Sequence, residues 1–289
     1  MTKPAVFDMI ELSLGATVME KASYQLKLPT VSSFEANYYF SNLNEKMPAK
    51  IFPAHLHDSM ELYILLEGDA SFIVESTLYK LSAGDAIVAK PNEIHNCVLN
   101  STSVHKHLCF WFDPSCDFLF SDFLSHEFGE NNLLSPSAED KKLLDELYEK
   151  LKIASDEKNE RQQFYLMIEM LEIFRHSIVK ENGGHDMPPL LQAILADMNA
   201  NFKTISTLGY FSQKYFVSQS TLNRLFKEYL HTTPKLYLET KRLAYSRVLL
   251  REGKTVLTAA MAAGFADYSN YIRLFKKRFG ITPRQYQKS

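Results

Sequence analysis

The sequence predicts an α+β protein of two domains, in which an N-terminal β-barrel with a helical hairpin precedes an all-α C-terminal domain. Three observations support this prediction. Short runs rich in Tyr, Phe, Ile and Val alternate with turn residues at 33–113, amphipathic helical patterns follow, and two stretches near the C-terminus repeat one another. A length of 289 residues provides enough chain for two hydrophobic cores.

The barrel is expected within residues 1–135. Its candidate strands are short and are bounded by Gly, Pro, Asn and Asp, which is typical of a sandwich or barrel built from hairpins. They lie at 34–40, 61–66, 70–75, 86–89 and 106–112.

Polar residues in this segment have the spacing of a binding site. They are His55, His57, Glu61 and Gly68, then Gly84, Asp85, Pro91 and His95, and they resemble the two cupin motifs. Histidines separated by one residue on a strand share a face, so His55 and His57 can join Glu61 and His95 in one cluster. Such a cluster suits zinc, iron, manganese or nickel, but it can also line a pocket for an organic ligand or form hydrogen bonds at the barrel mouth. We expect an effector pocket here, with a divalent metal as the open alternative and no other cofactor.

Two amphipathic helical patterns follow the barrel, at 139–153 and 161–179, separated by the polar stretch 155–160. They predict a helical hairpin within residues 136–181 that packs on the barrel or on a second subunit. A homodimer formed through this hairpin is the expected assembly. Residues 182–189 are interpreted as the interdomain linker, since a Gly-Gly pair followed by Pro-Pro ends one helix and begins another.

A repeat with a fixed offset of 49 residues marks the C-terminal domain, expected at 190–289. The paired positions are Ser220 and Ser269, Leu222 and Tyr271, Arg224 and Arg273, Phe226 and Phe275, Lys227 and Lys276, Thr233 and Thr282, Pro234 and Pro283, and Tyr237 and Tyr286. A short repeat that occurs twice indicates two copies of one helical unit.

Each copy has the pattern of a helix-turn-helix motif. An apolar stripe with helical spacing runs from Leu222 to Tyr229, opposite a polar and basic face, and the second copy matches it. Ser218 and Asp267 are candidate N-caps, and Gly264 can adopt the positive φ that a tight turn needs. In such a motif the later helix enters the DNA major groove; a plain helical bundle with a solvated basic face is the alternative.

Charge is divided unevenly along the chain, although the formal net charge is -2. Residues 188–289 hold 16 Lys and Arg against 5 Asp and Glu, a net of +11, whereas residues 1–187 hold 16 against 29, a net of -13. A basic domain attracts phosphates and binds them with strong salt dependence. Double-stranded DNA is therefore the expected partner of the C-terminal domain, and sensing or assembly is the expected role of the acidic part.

The chain resembles the AraC/XylS family of bacterial transcription regulators. The resemblance is carried by Arg242, Leu243, Gly264, Phe265, Asp267, Ser269, Arg273, Phe275, Lys276, Lys277, Gly280, Pro283 and Tyr286, and with the cupin-type motifs it spans nearly the whole chain. It implies that 235–250 is a linker helix holding the two motifs rigidly, and Thr233 as N-cap with Pro234 at the first helical position fits this independently. Roughly 24 Å of helix, with the flanking helices, can place two recognition helices near the ~34 Å spacing of successive major-groove faces.

The candidate DNA-binding residues lie on the outward faces of the two later helices. Those expected to read base edges are Asn223, Arg224, Tyr268, Ser269, Asn270 and Arg273. Those expected to contact or approach phosphates are Gln219, Ser220, Lys227, Lys276, Lys277 and Arg278. Ile272 is also expected to face outward, to contact thymine methyl groups or to pack against a neighbour.

The predicted function is that of a ligand-responsive, sequence-specific DNA-binding regulator of transcription, not an enzyme. The resemblance implies an activator whose effector is a sugar or sugar-derived molecule, with fatty acids and other small metabolites as alternatives, and RNA polymerase as a partner. Two other functions stay open: an architectural DNA-binding protein without an effector, and a metal-dependent cupin enzyme such as an oxygenase or isomerase.

The remaining features indicate a cytoplasmic protein. Cys97, Cys109 and Cys116 are odd in number and lack the spacing of a disulfide framework or zinc finger, so reduced thiols are expected. The sequence has no signal-peptide pattern and no apolar run of membrane-spanning length, so no membrane association is expected.

Overall fold

The computed structural model describes residues 20–28, 31–42, 54–57, 59–100, 105–112, 116, 119–179 and 187–288, with the backbone alone for 20–28, 31–42 and 178–179. Within these residues the N-terminal part is built mainly from strands and the C-terminal part from helices, which confirms the α+β prediction. Residues 182–186 of the predicted linker lie outside the described residues.

The barrel contains two antiparallel sheets. Its strands are β1 (Glu20–Leu28), β2 (Val31–Asn42), β3 (Met60–Glu67), β4 (Ala70–Val74), β5 (Thr77–Lys80), β6 (Ala86–Ala89), β7 (His95–Leu99), β8 (Lys106–Phe112), β9 (Leu133–Ser135) and β10 (Ile178–Val179). In the part of the chain that the structure describes, the large sheet has the order β1-β2-β8-β3-β6-β9-β10, and the small sheet has the order β5-β4-β7.

The predicted strands at 61–66, 86–89 and 106–112 are confirmed within one residue at each end. The predicted strand at 70–75 ends one residue early, because Glu75 adopts a positive φ of 56° and turns the chain into β5. Strands β1, β5, β7, β9 and β10 were not among the predicted strands; β9 and β10, with three and two residues, are too short to show alternation.

Helices follow the barrel strands. They are α1 (Ser121–Leu124), α2 (Ala138–Asp156), α3 (Glu160–Arg175), α4 (Pro189–Asn201), α5 (Gly209–Lys214), α6 (Gln219–Leu230), α7 (Pro234–Arg251), α8 (Val256–Ala262), α9 (Tyr268–Phe279) and α10 (Pro283–Lys288). Side-chain oxygens of Ser218, Thr233 and Asp267 cap α6, α7 and α9, which confirms the three predicted N-caps.

Helices α2 and α3 form the predicted hairpin, and they pack on the barrel. Leu147 of α2 and Met170 of α3 share one buried cluster with Phe110 of β8. The prediction of a helix as far as residue 179 is wrong, because α3 ends at Arg175 and β10 pairs with β9. An apolar pattern alone could not separate the end of this helix from a short strand whose partner lies far away in sequence.

Helix α7 is buried along most of its length between the two helix-turn-helix motifs. Tyr237 near its start belongs to the apolar cluster of the first motif, and Leu250 near its end belongs to that of the second. Arg242 in its middle donates hydrogen bonds to the carbonyl oxygens of Phe202, at 2.8 Å, and Ile205. The linker helix is therefore part of both cores.

Gly264 generates a stability prediction, because its φ is +89° and an added Cβ would lie 2.4 Å from the carbonyl oxygen of Lys203. The variant G264A should lower the free energy of unfolding by about 2 to 4 kcal/mol, from backbone strain and from the clash. Gly280 is the matched control: its φ is +74° and nothing lies within 4 Å of its added Cβ, so G280A should cost about 1 kcal/mol. Urea unfolding followed by circular dichroism measures both, and equal losses would contradict the close approach at Gly264.

Candidate functional site

The later helices of the two motifs, α6 and α9, repeat one another in the structure as they do in sequence. Each has 12 residues. Ser218 and Asp267 each accept a hydrogen bond at 3.0 Å from the backbone amide three residues later. Each helix ends at a residue in the left-handed conformation, His231 in one and Gly280 in the other. The sequence repeat thus encodes two helices with the same length, start and end.

Eleven of the twelve predicted DNA-binding residues lie on the outward side of these helices, and Arg278 does not. Ten of them are exposed and Asn270 is half-buried: Gln219, Ser220, Asn223, Arg224 and Lys227 on α6, and Tyr268, Ser269, Asn270, Arg273, Lys276 and Lys277 on α9. On the opposite side Leu222, Phe226, Tyr271 and Phe275 are buried. Each helix therefore presents a polar and basic face to solvent.

The two faces differ in electrostatics. On α6 the guanidinium of Arg224 forms an ion pair with Glu228 at 3.0 Å, which offsets its charge. On α9 the guanidinium of Arg273 donates instead to the neutral amide oxygen of Asn270 at 2.7 Å. The face of α9 therefore keeps the full positive charge of its arginine, whereas that of α6 does not.

The structure contradicts the predicted position of Arg278 and decides between the two expectations for Ile272. Arg278 was expected near phosphates, but its guanidinium is largely buried; burial, together with the nearby Arg247, lowers the pKa of Arg278. Ile272 is half-buried and packs against the apolar cluster of the second motif, which decides between the two expectations for it. Helical periodicity predicted an outward position for both residues, because it depends on α9 alone and does not show how α9 packs against α7 and α10.

In the barrel, His55, His57, Glu61 and His95 lie together. Their potential metal-binding atoms are all within 4.8 Å of one another. Glu61 belongs to β3 and His95 begins β7, whereas His55 and His57 lie outside the regular strands. His55 joins His95 through a pair of backbone hydrogen bonds of 3.0 and 2.9 Å. This bridge brings the predicted residues into one site.

Backbone carbonyls orient two of the imidazoles. The Nδ1 atom of His57 lies 2.9 Å from the carbonyl oxygen of Ser59, and that of His95 lies 2.9 Å from the carbonyl oxygen of Glu93. Because a carbonyl only accepts, both Nδ1 atoms carry the proton, and the Nε2 atoms face Glu61 at 2.7 and 3.5 Å. In the neutral rings each Nε2 offers a lone pair, the arrangement found around metal-binding histidines.

The charges of the cluster are coupled. Burial by itself raises the pKa of Glu61, but His95 and His57 outweigh it and hold this pKa well below its usual range. Burial opposes the charged form of His95 as well, yet Glu61 raises the pKa of His95. The indole nitrogen of Trp111 also donates to Glu61, at 2.7 Å. A buried carboxylate is thus kept ionised and needs a positive partner, either a proton on an imidazole or a cation.

The donor set fits a metal ion. Three imidazoles and one carboxylate converge, Glu61 is ionised, and the Nε2 atom of His95 has no hydrogen-bond partner in the part of the chain that the structure describes. These are ligands that zinc, iron, manganese and nickel accept.

Deeper in the barrel lies a second group of polar side chains that the sequence did not indicate. The hydroxyl of Tyr63 lies 2.8 Å from Nε2 of His105 and 3.6 Å from the thiol of Cys97. Burial lowers the pKa of His105 to about 4 and that of His107 well below its usual range. The imidazoles here are neutral at pH 7, so the interior offers hydrogen-bonding groups without a formal charge.

Two other motif residues, Gly84 and Asp85, have a structural role. Gly84 has a φ of +81° in the turn before β6. Asp85 accepts hydrogen bonds from the hydroxyl of Ser135 at 2.5 Å and from the ammonium group of Lys141 at 2.8 Å. These contacts join the turn to β9 and α2. Gly84 and Asp85 therefore stabilise the barrel and are not part of the histidine cluster.

Comparison with known proteins finds one family match in each half of the chain. Residues 45–111 match the family of cupin domains, and residues 211–289 match a family of helix-turn-helix domains. The HTH-type transcriptional activator RhaS of Escherichia fergusonii is 23% identical over 271 residues, which cover 90% of this chain and 96% of that protein. The activator RhaR of Mannheimia succiniciproducens is 22% identical over 243 residues, which cover 82% and 87%.

Among solved structures, ToxT from Vibrio cholerae O395 is 16% identical, covers 88% of this chain and 97% of that chain, and has a TM-score of 0.35. The sequence relatives are named transcriptional activators, which agrees with a regulator that is not an enzyme. In the described residues, the structure has no helix with the length and apolar character needed to span a membrane.

His105 gives a prediction about pH. Its pKa is about 4 in the folded protein against 6.5 as the ordinary value, so below pH 6.5 the unfolded chain binds a proton that the folded chain does not. The stability that this residue contributes is present above that pH and is lost as the pH falls toward 4, by up to about 1.4 kcal/mol per pH unit. The variant H105Q should therefore show a shallower fall in unfolding free energy between pH 7 and pH 5.

Urea unfolding at pH 7, 6 and 5 measures this slope, and the exposed His176 provides the control H176Q. Equal slopes for H105Q and the parent chain would show that His105 is not a buried neutral group.

Proposed function

Because the chain is a member of the AraC/XylS family, with a cupin domain followed by a helix-turn-helix domain, we propose that it is a ligand-responsive, sequence-specific regulator of transcription. The observation that carries this proposal is the pair of helices α6 and α9, which have the same length and equivalent caps and each present an exposed polar and basic face. The barrel with its buried cluster receives the effector.

The exposed residues of α6 and α9 suit the two tasks of DNA recognition. Arginine pairs with the O6 and N7 acceptors of guanine and asparagine with the edge of adenine, so Arg273, Asn270 and Asn223 are the proposed base readers. Lys276 and Lys277 lie in the last part of α9, where ammonium groups contact phosphates and fix the register without reading sequence.

The barrel interior supports the effector class that we propose. Tyr63, His105 and Cys97 are neutral, and hydroxyl groups of a ligand can both donate to and accept from such side chains. A sugar or sugar-derived metabolite is therefore the effector that we propose, because it is rich in hydroxyl groups and needs no charged partner.

A divalent metal is the second part of the proposed sensing site. His55, His57, Glu61 and His95 would hold it, and the ion would supply the positive partner that the ionised, buried Glu61 needs. Bound there, the metal would fix the imidazoles and offer a Lewis-acidic position for a ligand oxygen.

A homodimer formed through the hairpin is the assembly that we propose, with RNA polymerase as the partner of the assembled activator. Leu143 and Ile153 of α2 and Tyr165 of α3 are exposed by 43%, 57% and 59%. Large apolar side chains on one hairpin support its contact with a second copy. Two chains at adjacent DNA sites gain affinity through their effective concentration.

The DNA-binding proposal is tested by removing one reader and one phosphate contact. R273A should weaken binding to the preferred DNA site by about 5- to 100-fold and relax the preference at one base position. K276A should weaken binding to all sequences alike and reduce the slope of log affinity against log salt by about 1. Fluorescence anisotropy over a salt series measures both effects.

The exposed Lys150 on α2 provides the control K150A, which should bind as the parent chain does. If R273A left both affinity and base preference unchanged, α9 would not be a reading helix.

The metal proposal is tested with zinc alone. After chelation and dialysis, the full chain should take up about one Zn²⁺, and H57Q and H95Q should bind it at least about tenfold more weakly. Isothermal titration measures the affinity, and the exposed His126 provides the control H126Q. Equal zinc affinity in the parent chain, H57Q and H95Q would rule out this cluster as a metal site.

A further inference from the structure

The small sheet of the barrel packs against the DNA-binding domain. The outward side chains of the small sheet and of the segment before β3 belong to one apolar cluster with residues of α4, α5, α6 and α7. From the barrel this cluster includes Leu56, Ile73, Leu78, Ile94 and Val98. The outer face of β5-β4-β7 is therefore an interface within the chain.

A buried ion pair lies at this interface. Glu75, in the two-residue turn between β4 and β5, accepts a hydrogen bond from the ammonium group of Lys241 on α7. The exposed fractions of these two residues are 2% and 8%. The hydroxyl of Tyr237, one turn earlier on α7, donates to the carbonyl oxygen of Glu75 at 3.2 Å. One residue of the barrel thus holds the linker helix at two points.

Glu75 is also hydrogen-bonded to Ile94, the residue before one of the cluster histidines. The amide of Glu75 donates to the carbonyl of Ile94 at 2.7 Å, and the amide of Ile94 donates back to the carboxylate of Glu75 at 2.9 Å. Ile94 directly precedes His95. Only Glu75 and Ile94 therefore separate His95 from Lys241.

A second connection leaves the cluster through His55. The residue before it, Ala54, donates its amide to the carbonyl of Leu230 at 3.4 Å. Leu230 is the last residue of α6, one of the two proposed reading helices. Since the backbones of His55 and His95 are bridged, both connections start from one pair of histidines.

The interface includes two features that cost free energy. Glu75 has a φ of 56°, a conformation that residues other than glycine adopt at a cost. Asn96 lies on the outward face of β7 between Ile94 and Val98. Its side-chain amide is buried without a hydrogen-bond partner in the described residues. A buried ion pair is itself weakly stabilising once desolvation is counted. An interface of this kind suits an element with two arrangements.

We propose that the Glu75–Lys241 pair is a latch that couples the barrel cluster to the linker helix. An occupant of the cluster moves His55 and His95. The latch passes this movement to α7, and the hydrogen bond between Ala54 and Leu230 passes it to the end of α6. The inference rests on the proposed ligand response, and its experiment separates the two.

The latch itself is tested without any ligand, by a distance measurement in the full chain. The three native cysteines are buried, so spin labels can be attached to cysteines introduced at the exposed Lys150 and Lys254. The parent chain should give one narrow distance distribution, and K241M and E75Q should each broaden it. The control K152M removes an exposed ion pair with Glu149 and should leave it narrow. Narrow distributions in both latch variants would overturn the proposal.

Coupling is tested by measuring DNA affinity with and without Zn²⁺. The parent chain should change its affinity by about tenfold, a usual size for coupled sites, and K241M by less than about twofold. A full zinc response in folded K241M would overturn the coupling, and so would zinc that binds the parent chain without changing its affinity. If the parent chain bound no zinc, the metal proposal would fail, and the distance distributions alone would decide the latch.

Discussion

Helix α7 is the constraint on which the rest of the structure depends. Its first half shares an apolar cluster with α4, α5 and α6, and its second half shares another with α8 and α9. An α-helix is a stiff rod with a fixed rise of about 1.5 Å per residue, so its length is fixed. The distance between α6 and α9, which pack on its two halves, is therefore fixed by α7. Lys241 lies between these halves and contacts the barrel. A displacement of α7 at Lys241 would therefore move both helix-turn-helix motifs together.

Two electrostatic interactions of different kinds meet in this domain. The outward lysines and arginines of α6 and α9 are exposed to solvent, so their attraction to phosphates weakens as salt screens it. The Lys241–Glu75 pair is buried, and salt screens such a pair much less. A change in salt concentration should therefore alter the affinity for DNA much more than it alters the contact between the barrel and α7.

The sequence was most informative where structure is set by near neighbours. N-caps at Ser218, Thr233 and Asp267 and the positive φ of Gly264 could be predicted, because each depends on a few adjacent residues. The four residues of the barrel cluster were predicted by type and spacing. We expected His55 and His57 to share one face of a regular strand. In the structure, His55 instead reaches the site through its backbone bridge to His95.

Other features depend on contacts between distant parts of the chain, and local pattern could not predict them. Lys241 and Glu75 are 166 residues apart, and the indole of Trp111 is 50 residues from Glu61. The inward position of Arg278 depends on how α9 packs against its neighbours. The spacing of apolar residues along the chain does not specify such contacts.

The measurement that tests the rigid pairing of α6 and α9 most directly is selection of DNA fragments by the purified full chain at a stated salt concentration, read by sequencing. We expect a motif with two specified elements whose centres lie about 10 base pairs apart. A motif with one element, or two elements at variable spacing, would contradict it.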